Sequence, residues 1–73
     1  MEKAVTITLP RDFLGQIIDG LEVLIDDWRA TAVWLETGYS EDRIIIRECS
    51  SSREAENLAN YYTRIRDHLE SHL

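Results

Sequence analysis

The chain has 73 residues, 44% apolar and 30% charged, with fourteen acidic against eight basic side chains and a formal charge of −6. That balance describes a foldable globular chain rather than a disordered one, and its acidity disfavours nonspecific binding to nucleic acid or anionic membrane. One cysteine, Cys49, excludes an internal disulfide, and no Cys/His cluster has structural zinc spacing.

Several expectations follow from size. The chain reads as one domain over residues 1–73. It is short enough to bury only roughly 60% of its unfolded surface, so its stability is marginal. Without disulfide or metal, self-association is the remaining way to add burial. No apolar run reaches the ~18 residues of a membrane span. Met1-Glu2-Lys3 does not open a signal peptide. The expected location is the cytoplasm, in keeping with a free thiol.

Val5, Ile7 and Leu9 alternate with Thr6 and Thr8, a period of two that predicts a short strand with one buried face. Pro10 ends it and suits a first helical turn, and Asp12 complements the helix dipole. Leu14, Ile17, Ile18, Leu21, Leu24, Ile25, Trp28, Ala32 and Leu35 then follow at three- and four-residue steps. This spacing predicts an amphipathic helix over residues 11–37, ~40 Å long, stopped by Gly38. Gly15 and Gly20 each cost such a helix ~1 kcal/mol, a cost often offset by close packing of another backbone.

Gly38 to Asp42 reads as a polar loop. Ile44, Ile45 and Ile46 predict a second strand, covered on both faces or lying at a subunit junction. Ser51 and Glu54 fit a capping box. Ala55, Leu58, Tyr62, Ile65 and Leu69 then predict a second helix running to the C-terminus beside the first. The order is β-α-β-α. The expected fold is α+β, with two long amphipathic helices packed on a two-stranded sheet that dimerisation completes.

Four residue sets invite a functional reading. On the back of the first helix, Gln16, Gly20, Val23, Asp27, Ala30 and Trp34 keep a 4-3-4-3-4 spacing. A solvated helix back does not need Val23 and Trp34, and tryptophan is enriched at binding hot spots. The predicted interface is therefore Gly20, Val23, Asp27, Ala30 and Trp34, joined by Ile44, Ile45 and Ile46.

Cys49 stands before the capped second helix, a position that favours a thiolate. Cys49-Ser50-Ser51-Ser52 resembles the active-site turn of monothiol thioredoxin-like proteins. That resemblance implies further strands and a proline loop facing the cysteine, but the sole proline is Pro10 and little chain follows Ser52. Cys49 and Arg53 form C-x3-R, shorter than the C-x5-R loop of phosphatases.

His68 and His72 share a helix face at metal-competent spacing, with no recognisable third ligand. Asp12, Asp19, Glu22 and Asp26 form an acidic ridge, with Asp27 adjacent, able to occupy a basic groove. The arginines, balanced by nearby acids, give only a weak nucleic-acid footprint.

The expected function is a noncatalytic protein–protein interaction module acting as a homodimer, without cofactor or metal. The first alternative is a small acidic inhibitor, of anti-defence or nucleic-acid-mimic type, that blocks a basic site on a nucleic-acid-processing protein. The second is a thiol enzyme using Cys49.

Overall fold

The computed structural model describes residues 3–40 and 45–73 and is a helical hairpin. Helix α1 spans Arg11–Thr37 and α2 spans Ser52–Glu70. The expected α+β fold is corrected: no residue among those described belongs to a strand.

α1 runs the length that its apolar spacing predicts. Pro10 stands just before the helix, extended at φ −55° and ψ 145°, with no side-chain cap. Its carbonyl accepts from Leu14 N–H at 3.2 Å. At the other end Gly38 takes φ 75°, a left-handed conformation open to glycine at no steric cost, and its N–H donates to Trp34 O at 2.8 Å. α2 opens on its capping box. Ser51 Oγ accepts from Glu54 N–H at 3.2 Å, and Glu54 Oε2 accepts from Ser50 N–H at 3.0 Å, one residue earlier than the usual reciprocal bond.

The helices are antiparallel. Ser52 Oγ donates to Glu36 at 3.2 Å, Arg29 reaches Thr63 Oγ1 at 3.4 Å, and Arg11 reaches Leu73 O at 3.3 Å. Between them lies a thin core. α1 buries Ile18, Ile25 and Ala32 at seven-residue steps, and α2 buries Ala55 and Ala59 one turn apart. The small alanines let the backbones approach, while Leu14, Leu21, Leu24, Trp28, Leu58, Tyr62, Ile65 and Leu69 are only half-buried around them.

Both expected strands fail for one physical reason. A strand needs a neighbour to take its backbone hydrogen bonds. Residues 3–10 have no regular structure and are exposed, and no neighbouring strand is found among the described residues. The other candidate segment is held by a helix instead. Arg47 N–H donates to Thr31 Oγ1 of α1 at 2.8 Å. Ile45 is exposed and Ile46 half-buried, both outside regular structure, and Ile44 lies outside the described residues.

The glycines of α1 depart from expectation as well. A Cβ built at Gly15 or Gly20 meets nothing within 4 Å, so among the described residues no other backbone approaches either one. Gly15→Ala is therefore expected to raise the unfolding free energy by about 0.5–1 kcal/mol. Urea denaturation measures this, and a loss of stability would mean that something not in this chain packs at Gly15.

Candidate functional site

The back of α1 does not form one uniform surface. Phe13, Ile17, Gly20, Leu24, Asp27, Thr31 and Trp34 follow at steps of 4, 3, 4, 3, 4, 3 and share one side of the helix. The segment after residue 44 crosses this side near its middle. There Arg47 Nη2 bonds Asp27 Oδ2 at 2.9 Å. Thr31 Oγ1 accepts the Arg47 N–H while donating to Asp27 O at 2.8 Å. Asp27 and Thr31 are both buried under this strap.

Two polar residues in an apolar stripe are thereby explained within the chain. Asp27 would be an isolated buried carboxylate without Arg47, and Thr31 satisfies the linker's backbone. The pair is lopsided, since the Asp27 side chain is 4% exposed and that of Arg47 37%. Arg47 Nε and Trp28 Nε1 are buried with no partner among the described residues.

Toward the N-terminus the same side is bare. Phe13 and Ile17 are exposed, Gly20 is open and Leu24 half-buried, with exposed Val23 at the margin. Of the predicted interface residues, Gly20, Val23, Trp34 and Ile45 lie exposed, Ala30 and Ile46 are half-buried, and Asp27 is turned into the strap. Sequence reasoning placed Phe13 nowhere and Ile17 in the core. Following the heptad from Phe13 instead of Gln16 identifies the bare seam.

The remaining groups are placed as follows. Asp12, Asp19, Glu22 and Asp26 are exposed on α1, whereas the adjacent Asp27 is buried. Cys49 is half-buried, and its thiol donates to Ser51 O at 3.2 Å. The His68 and His72 rings meet edge-to-face at 5.4 Å between centroids. They wall a groove of about 530 Å³ that the N-terminal segment lines with Val5, Ile7 and Leu9. No group of three or more His, Cys, Asp or Glu suited to a metal ion occurs among the described residues. Arg66 bonds Asp67 at 3.0 Å, which holds its guanidinium above the ordinary value; Glu70 adds a longer contact at 3.6 Å. This is a solvated surface pair.

No family model, curated protein or solved structure matches this chain. The functional reading rests on its own geometry. No helix among the described residues is long and apolar enough to cross a membrane.

Removing one partner of a buried ion pair leaves the other charge uncompensated. With Arg47 partly solvated, Arg47→Met is expected to destabilise the fold by about 2 kcal/mol, below the usual buried-pair range. Asp27→Leu combined with Arg47→Met should recover most of that loss. Thermal unfolding of the single and double variants measures both; an unchanged Arg47→Met protein would show that the Asp27–Arg47 pair contributes nothing.

Proposed function

We propose that this protein is a noncatalytic protein–protein interaction module that works as a homodimer in the cytoplasm. The supporting observation is its surface. The chain exposes 6025 Å². A compact monomer of its 8.5 kDa exposes about 4,700 Å², so about 1,300 Å² is in excess. A standard interface removes about 800 Å² from each partner. The excess is large enough for one.

The shape supports the same reading. The molecule measures 42 × 31 × 17 Å, with a radius of gyration of 14.3 Å against about 11 Å for a compact domain of this length. Two helices side by side make one layer, whereas stable domains pack at least two. Exposed Val5, Ile7, Phe13, Ile17 and Val23 are the apolar residues that a second layer would cover.

The second reading is a small acidic inhibitor of a basic site on a nucleic-acid-processing protein. Its support is the exposed row Asp12, Asp19, Glu22 and Asp26. An electrostatic inhibitor loses affinity steeply with added salt, whereas an apolar dimer hardly responds.

Light scattering over a range of protein concentration and salt is the test. The expected result is a particle of twice 8.5 kDa that persists at high salt. A strict 8.5 kDa monomer at every concentration would overturn the dimer.

A further inference from the structure

We infer that two copies associate through the bare half of the α1 seam, Phe13–Ile17–Gly20–Leu24, packed antiparallel about a two-fold axis beside Ile18 and Asp19. This inference rests on the dimer reading above and says which face carries it.

The spacing of the four residues is the first argument. Steps of 4, 3 and 4 read the same in both directions. An antiparallel copy therefore meets the seam in register, as a two-fold interface requires. Phe13 faces Leu24 of the second copy, and Ile17 faces Gly20 of the second copy. At the centre a large side chain thus meets an absent one, twice.

Gly20 supplies the second argument. Among the described residues nothing lies within 4 Å of where its Cβ would be, so they give no reason for a glycine in mid-helix. An Ile17 side chain arriving from a second copy gives one, because it needs that space.

Area supplies the third. Three turns of helix account for part of the about 800 Å² that a stable dimer takes from each partner. Exposed Ile45, two residues before the Arg47 that bonds Asp27, lies at the end of the contact and extends it. The product has two layers of two helices, a four-helix arrangement with the layer that each hairpin lacks.

Ile17→Glu and Gly20→Leu test the seam on the full chain, by sedimentation equilibrium with circular dichroism as the control for folding. Both positions are exposed in the protomer, so helicity should be retained. Each change is expected to raise the dimer dissociation constant by about tenfold or more, by a buried charge in one case and by filling the Ile17 space in the other. Gly15→Ala, off the seam, should leave the dissociation constant unchanged. If Ile17→Glu loses helicity, Gly20→Leu decides. A dimeric wild type whose folded variants remain equally dimeric overturns the seam and leaves the dimer reading standing. A monomeric wild type overturns both and leaves the face to a different protein.

Discussion

Two helices have only one face in common, and every other feature of this molecule follows from that constraint. Ile18, Ile25 and Ala32 of α1 meet Ala55 and Ala59 of α2, and this contact consumes one stripe of each helix. An amphipathic helix with a wider apolar arc must find further cover elsewhere. α1 finds some in the linker, which lies over Asp27 and Thr31. Its remaining apolar arc, from Phe13 to Val23, stays largely exposed, as do Val5 and Ile7 before Pro10.

The linker resolves a conflict that the helix itself creates. An aspartate and a threonine within an apolar side would weaken packing against another helix. Arg47 converts them into anchors, one through its guanidinium and one through its backbone. The bond from Thr31 Oγ1 to the carbonyl one turn earlier is a local helix bond of the kind these side chains favour. Polar and apolar residues thus divide a single seam into a half closed by the chain and a half left open.

The helices were legible in the sequence because their signals are local. The apolar spacing of residues 11–37, the glycine at 38 and the Ser51/Glu54 box lie within a turn or two of what they specify. Strands are different, since alternation marks a face but does not supply a neighbour. Val5, Ile7 and Leu9 carry the pattern and remain without regular structure. The Asp27–Arg47 pair was illegible for a related reason: the partners are twenty residues apart, and an aspartate beside Asp26 reads as part of a solvated ridge. The candidate surface was legible in part. Val23 and Trp34 stand out as apolar residues that the core does not need, but Phe13 and Ile17 are indistinguishable from core residues until the second helix is seen to miss them.

The strap also bears on the order in which the hairpin can assemble. Arg47 and Thr31 are separated by sixteen residues, whereas Arg11 and Leu73, at the open end, are separated by sixty-two. Chain-closure entropy favours the shorter loop by about 1 kcal/mol. A contact at the linked end thus forms more readily than one at the open end, and it sets the two helices side by side before their far ends meet. The linker is in this sense a short closure as well as a cover, and the helix bonds beside it carry a smaller entropic cost of closure than those near Pro10.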